Sequence, residues 1–272
     1  MKRSPTAPVH VPLSVDLLEL LSLEPLGRDV FHAPTVFDDD FALYGGQVAA
    51  QALLAAGATV PDGRAPHSMH GYFLRGGDPA VPTEFRVDRD RDGGSFSARR
   101  VVATQRGEVV FSMGCSFQVG REGPEHQVAS MPVTQRPEEL RAYAIPRLAS
   151  MEGRAPVQPR PAPWPTRIWA RCARDLPDRP LVHAAVLTYL SDISAGTAPL
   201  TDEHGRPGPS LDHSIWFHRP VQMDEWVLMD LTPVVTAGGR GWYSGTIHTA
   251  EGVLVADLAQ ESLFRRPAPK TT

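Results

Sequence analysis

Among the residues of this chain able to do chemistry, Asp192 stands out by its surroundings. It closes the segment LVHAAVLTYLSDIS, Leu181 to Ser194, in which Leu181, Val182, Ala184, Ala185, Val186, Leu187, Tyr189 and Leu190 leave no broad polar face. As a helix this segment is enclosed by protein rather than laid on a surface. The carboxylate at its end has two readings. Past the helix end it is one more solvated aspartate, the usual fate of the residue type. Drawn into the protein, it costs several kcal/mol unless partners or water compensate, and burial then makes it a stronger base.

Other constellations are weaker. Ser210, Asp212 and His213 carry the letters of a serine-hydrolase triad. Residues alternating along one strand point to opposite faces, however, and no G-x-S-x-G elbow is present, so His213 reads as a hydrogen-bonded core histidine. His67, His70 and His218 have no metal-binding spacing. Cys115 and Cys172 form neither a C-x-x-C pair nor a four-ligand zinc set. Metal and cofactor are therefore not expected. Arg75, Arg99 and Arg100 are candidates for phosphate contacts or simply solvated strand residues, and Asp38 to Asp40 read as a solvated acidic loop.

The elements that must position Asp192 can be read in chain order. After a Pro-rich start, SVDLLELLSLEPL offers an N-cap at Ser14, an apolar stripe and a stop at Pro25, predicting a short amphipathic helix. LYGGQVAAQALLAAGATV is a second enclosed helix, opened by Gly45 and Gly46. Four β-prone stretches follow: His67 to Arg75, Pro82 to Gly94, Ser95 to Gln105 and Glu108 to Gln118. From Val119 to Ile168 prolines crowd the chain, with one helix expected over PEELRAYAI. Then the first pattern returns: the enclosed helix at 181–194, and strands over Asp212 to Pro220, Asp224 to Val235, Arg240 to Ala250 and Gly252 to Arg265.

The order repeats because the chain is duplicated. HSMHGYF at His67 matches HSIWFHR at His213, and VVFS at Val109 matches VLVA at Val253, offsets of 146 and 144 residues. The chain is therefore divided into an N-terminal unit, residues 13–118, a Pro-rich connector, 119–168, and a C-terminal unit, 169–266. Each unit is one buried helix wrapped by an antiparallel sheet, an α+β fold. Pairing the two units through their sheet edges covers strands otherwise open to aggregation. Under the second offset Gln260 lies opposite Ser116. The counterpart of Asp192 falls among Ala55, Ala56, Gly57 and Ala58, where no carboxylate stands, so the halves are unequal.

Composition excludes several classes. With 272 residues, 42% hydrophobic and 21% charged, the chain is an ordinary globular protein. A net charge of −4 and a pI near 6.2 leave no footprint for nucleic acid. No apolar leader and no run of about 18 apolar residues supports a signal peptide or membrane span, and a cytoplasmic location is expected.

YGGQVAAQAL, HSMHGYFLRGGD, DGGSFSARRV, SLDHSIWFHRP and GVLVADLAQE, in this order, resemble the acyl-CoA thioesterase II (TesB-like) family over Ser14 to Arg265. No single one of these motifs is specific, but their combination is. The resemblance implies a double hotdog fold, hydrolysis of fatty acyl-CoA to free acid and CoA without metal or cofactor, and further assembly into homo-oligomers. It also implies a catalytic group that holds and activates a water: Asp192 after the second enclosed helix, Ser210 of SLDHS as the hydroxyl member, and Gln260 of ADLAQES on the final strand. A thioester needs little more than a positioned water and a base. Backbone N–H groups at the start of a helix suit the oxyanion, which makes Gly45, Gly46 and Gln47 its candidate donors; the alternative is a tight turn with close helix packing. Two other functions fit the same architecture. An enoyl-CoA hydratase would need an Asp/His pair, for which His183 is the sole hint, and a non-catalytic acyl-CoA binding protein would have no use for the three residues together.

Overall fold

The computed structural model describes residues 15–35, 42–202 and 205–265. The Pro-rich start, Ser14 and Asp38 to Asp40 lie outside the described residues. The first half opens with α1 (Leu17–Leu20), β1 (Glu24–Gly27) and β2 (Val30–Ala33), and continues through α2 (Gly45–Gly57) into β3 (Arg64–Phe73), β4 (Thr83–Asp92), β5 (Phe96–Gln105) and β6 (Glu108–Val119). Then come β7 (Ala142–Tyr143), β8 (Met151–Arg154) and β9 (Arg167–Cys172). The second half follows with α3 (Pro180–Ser191), β10 (Arg206–Ser210), β11 (Asp212–Phe217), β12 (Val227–Ala237), β13 (Arg240–Thr249) and β14 (Leu254–Arg265).

Among the described residues, all fourteen strands belong to one antiparallel sheet, in the order β1-β2-β4-β5-β6-β3-β11-β14-β13-β12-β9-β8-β7, with β10 beside β14. Read outward from the β3–β11 junction, the sequence β3-β6-β5-β4-β2 is mirrored by β11-β14-β13-β12-β9. This is the duplication in three dimensions. At the junction Met69 pairs with Ile215, both fully buried. These two are equivalent residues under the 146-residue offset, so the pseudo-twofold axis passes between them. Across the next strands Cys115 pairs with Met69 and Leu258 with Ile215, an offset of 143. On the inner face the counterpart of Gln260 is therefore the buried Phe117 rather than Ser116.

The two long helices are small-sided because they touch. A Cβ on Gly57 would overlap the Leu181 side chain, and one on Gly46 would lie 2.6 Å from the Tyr189 carbonyl oxygen. The start of α2 thus meets the end of α3 and its end meets the start of α3, an antiparallel pair with glycine at both contacts. Ala49, Ala50, Ala52, Leu53, Ala55 and Ala56 of α2 are completely buried, as are Ala185, Val186, Leu187 and Leu190 of α3. Removing apolar surface at about 25 cal/mol per Å² makes these rods the centre of the core.

Three expectations are corrected locally. The first helix is a single turn whose N-cap is Asp16, its Oδ1 accepting from Leu18 N–H at 2.8 Å. PEELRAYAI forms a 3₁₀ turn at Pro137–Glu139 and then β7 rather than an α-helix; Ile145 precedes Pro146, a position that disfavours helical backbone. Finally, the Pro-rich stretch is more than a tether, since β7, β8 and β9 extend the second half of the sheet through β12.

Arg99 is not a surface cation but a buried clamp between α2 and the β4–β5 hairpin. Nε donates to Thr59 Oγ1 at 2.8 Å, Nη1 to the Arg91 and Ala98 carbonyls at 3.0 and 2.8 Å, and Nη2 to Thr59 O and Asp92 Oδ1 at 3.0 and 2.7 Å. Asp92 reaches solvent, but removing the guanidinium leaves the buried Thr59 oxygens without their donor. Arg99→Met is expected to lower stability by about 2 kcal/mol, read as a fall in the denaturant midpoint at unchanged slope; a midpoint equal to wild type would refute the clamp.

Candidate active site

Asp192 is the C-cap of α3, turned out of the helix at φ −89° and ψ 35°, and is 3% exposed. The chain has carried its carboxylate inward, not into water. Two residues later Ser194 takes the left-handed conformation, φ 51°, which reverses the backbone and returns a hydroxyl to the site. Ser210 ends β10, where the register against β14 shifts between Pro207 and Ser210; the irregularity aims the Ser210 side chain at α3. Gln260 lies on the inner face of β14 in the buried alternation Leu258, Gln260, Ser262.

These residues converge on one carboxylate oxygen. Asp192 Oδ1 accepts from Ser210 Oγ at 2.8 Å and from Gln260 Nε2 at 2.6 Å. Gln260 Nε2 also lies 2.5 Å from Ser210 Oγ, and Ser194 Oγ lies 2.8 Å from the same hydroxyl. The Gly46 N–H donates to the carboxylate as well, at the positive end of the α2 dipole. The second oxygen, Oδ2, faces Gly45, where an added Cβ would overlap it and crowd Phe73.

Burial dominates the electrostatics. Desolvation raises the Asp192 pKa from 3.8 to about 6, against the opposing pull of Ser210, Gln260, Arg147 and the Gly46 N–H. Burial also lifts Tyr44 well above 10 and keeps it a neutral phenol, with Asp192 adding to the effect. The Tyr44 hydroxyl donates to the Tyr189 carbonyl at 2.8 Å and so ties off the last turn of α3. The Arg147 guanidinium sits 5.9 Å from the centre of the Tyr44 ring.

Asp192, Ser194, Ser210 and Gly45 line a cavity of about 830 Å³, whose walls include Val48, Phe73, Phe111, Ile145, Trp164 and Ile168. Such a volume and apolar lining suit a flexible organic ligand. Arg75, Arg147 and Arg265 also border it. Arg100 instead pairs with Asp88 and Asp90 on the surface.

Of the other expected residues, Gly45 and Gly46 reach the site but Gln47 does not share its cavity. Gln47 lines a separate recess of about 20 Å³, and its N–H donates to the Tyr44 carbonyl at 3.1 Å. The triad letters do not assemble: Asp212 Oδ1 accepts from the Glu261 N–H at 2.7 Å and His213 Nε2 lies 2.7 Å from Ser191 Oγ. His183 accepts the Met223 N–H at 3.0 Å, so it serves the fold rather than Asp192. Sequence reasoning missed Ser194, Tyr44 and Arg147. For Ser194 the one signal was its place two residues beyond Asp192; the other two become visible when distant segments meet.

Known proteins match both halves of the chain. A model of the acyl-CoA thioesterase N-terminal domain matches residues 34–118, and one of the C-terminal domain matches residues 122–264. The chain belongs to the acyl-CoA thioesterase family. Human acyl-coenzyme A thioesterase 8 is 34% identical over 93% of this chain and 89% of its own length. Acyl-CoA thioesterase 2 of Haemophilus influenzae is 31% identical over 92% of this chain and 97% of its own. Among solved structures, acyl-CoA thioesterase II TesB2 from Mycobacterium marinum is 38% identical, with a TM-score of 0.77 over 93% of this chain and 98% of that one. A hot dog fold protein from Alicyclobacillus acidocaldarius superposes with a TM-score of 0.76 at 19% identity and supports the fold alone. The chain is thus a double hotdog acyl-CoA thioesterase, a thioester hydrolase. Among the described residues no helix is long and apolar enough to cross a membrane.

The raised pKa of this thioesterase's buried carboxylate is a stability statement. A folded pKa above the unfolded one gives stability that is complete below pH 3.8 and is lost as pH rises through about 6. By linkage the ionised carboxylate costs about 3 kcal/mol above that range. Asp192→Asn is therefore expected to unfold at higher temperature than wild type at pH 8, with the gap closing by pH 4. A variant less stable than wild type at pH 8 would show that its partners overcompensate for burial.

Proposed function

We propose that this thioesterase hydrolyses fatty acyl-CoA with Asp192 as general base and Ser210 and Gln260 as the groups that hold the carboxylate and the attacking water. The observation that carries this reading is a buried carboxylate, with one oxygen fixed by Ser210 and Gln260, on the wall of an apolar cavity of about 830 Å³. The acyl chain occupies the apolar part of that cavity. The reacting carbonyl sits near the start of α2, whose positive end at Gly45 and Gly46 favours the developing oxyanion.

The steps balance without another reactant. A water gives its proton to Asp192 Oδ2 as its oxygen bonds to the thioester carbonyl carbon, and the carbonyl electron pair moves onto oxygen. Collapse of that oxyanion breaks the carbon–sulfur bond, and the departing thiolate takes the proton back from Asp192. Free acid and CoA thiol leave, and the carboxylate is restored. Oδ1 is already saturated by Ser210 and Gln260, so Oδ2 takes the proton.

Because Asp192 must be ionised to act, kcat/KM for thiol release is expected to fall on the acid side with an apparent pKa near 6. Asp192→Asn is expected to lose about 10²- to 10⁴-fold in kcat, with KM changed far less. Thiol release from acyl-CoAs of graded chain length reads both. Equal rates in wild type and variant would sink the role of Asp192, and wild-type binding without thiol release would identify a carrier instead. Gly45→Ala, whose methyl group would displace Oδ2, is expected to lose kcat by a similar factor while Asp192 is retained.

A further inference from the structure

We propose that His213 is a positioning residue for hydrolysis: its Nδ1–H holds Gln260 Oε1, so that the Gln260 amide can present only its NH₂ group to Asp192. The proposal rests on the reading of Asp192, Ser210 and Gln260 as the hydrolytic group and adds the residue that orients one of its members.

The placement follows from the sheet. Ser214 pairs with Ala259 and Ile215 with Leu258, so one step along the same register His213 of β11 faces Gln260 of β14. Both are completely buried on the inner face. Directly opposed residues of an antiparallel pair have Cβ atoms about 5 Å apart. Gln260 Oε1 and His213 Nδ1 are both buried and neither makes a hydrogen bond to any protein group, the other included; they are two facing groups that a small side-chain shift would join, and the Gln260 side chain bears on the His213 ring.

Proton counting leaves one consistent arrangement. An ionised Asp192 accepts only, so the Gln260 Nε2 group must point to it, and Oε1 must point away and find a donor. The Tyr243 hydroxyl, on the strand that pairs with Gln260 from the other side, and Ser262 Oγ are also buried without a partner, but Nδ1–H is the donor whose ring already feels the Gln260 side chain. A neutral imidazole protonated at Nδ1 carries a lone pair at Nε2, which then accepts from the Ser191 hydroxyl 2.7 Å away. Ser191 Oγ also lies 2.9 Å from the Thr188 carbonyl. If its single proton went there instead, Nε2 would have to be the protonated nitrogen, and the bare Nδ1 would oppose the Gln260 carbonyl oxygen, leaving two buried acceptors face to face. Full burial keeps the ring neutral by lowering its pKa to about 4, so the same tautomer persists wherever Asp192 is ionised. The resulting relay runs from Ser191 at the end of α3, through His213 and Gln260, and back to Asp192 on the same helix end.

Two measurements test this. In wild-type protein with ¹⁵N-labelled histidine, the His213 ring, assigned by its loss in His213→Asn, is expected to show the neutral Nδ1–H tautomer at pH 8; an Nε2–H tautomer would overturn the proposal. This readout depends neither on a variant's stability nor on any activity. Thiol release provides the second. His213→Leu, which leaves Gln260 Oε1 without a donor, is expected to lower kcat by about 10- to 100-fold, with KM little changed. His213→Asn, which keeps a donor near the Nδ1 position, is expected to recover most of the loss. Because His213 acts through Gln260, adding His213→Leu to Gln260→Ala is expected to cost nothing further. Additive losses, or wild-type kcat in His213→Leu, would refute the proposal. Absence of thiol release by the wild type would instead refute the hydrolytic reading, with the tautomer still deciding the relay.

Discussion

The constraint on which the rest of this structure depends is the burial of one ionisable carboxylate at the end of one helix. Nothing in α3 itself compensates Asp192, since its polar members His183, Thr188 and Ser191 bond to Met223, Ala184 and His213 instead. The compensation comes from four other places: Ser210 from β10, Gln260 from β14, the Arg147 charge from the segment between β7 and β8, and the Gly46 N–H from α2. Those groups meet because the two halves of a duplicated chain share one sheet across β3 and β11 and pack their helices at glycine contacts. Their hydrogen bonds do not cancel the desolvation, and a pKa near 6 makes the group a stronger base than a solvated aspartate while leaving it ionised at neutral pH. The destabilisation and the reactivity have the same cause.

Duplication also explains the asymmetry. Both halves offer an enclosed helix and an inner sheet face. In the second half that face carries Gln260, and the strand-for-strand counterpart in the first half carries Phe117. The first half instead supplies the helix start at Gly45 and Gly46 and apolar cavity walls such as Val48, Phe73 and Phe111. A second carboxylate facing the first would have raised the cost of burying either.

Much of this was legible in the sequence where periodicity and side-chain size leave one choice. The two Ala-rich apolar runs could only be enclosed helices, and the alternating strands around His67, Ser95, Glu108, Asp212 and Arg240 are all present. The strands that were not read are short, proline-bearing or next to the Pro-rich stretch: EPLG of β1, VFHA of β2, RPGPS of β10, β7 and β8 inside that stretch, and RIWARC of β9 at its end. Their pairing is decided by neighbours far along the chain, and proline is tolerated in β10 because that strand pairs only with β14. Asp192 was conspicuous by its setting, whereas Ser210 and Gln260 became candidates through family resemblance alone; in a strand, a serine or glutamine has no local signature of function. Of the helix-start residues read as candidate donors, Gly45 and Gly46 stand beside Asp192, whereas the Gln47 N–H is taken by the Tyr44 carbonyl.

The most direct test of the central claim, that Asp192 activates water rather than attacking the thioester itself, is a single turnover of enzyme in excess over acyl-CoA in H₂¹⁸O. General-base catalysis predicts that the fatty acid released in this first turnover carries one ¹⁸O and that the peptide containing Asp192 keeps its mass. Unlabelled fatty acid, with ¹⁸O appearing in Asp192, would mean that the carboxylate is the nucleophile and would contradict the account.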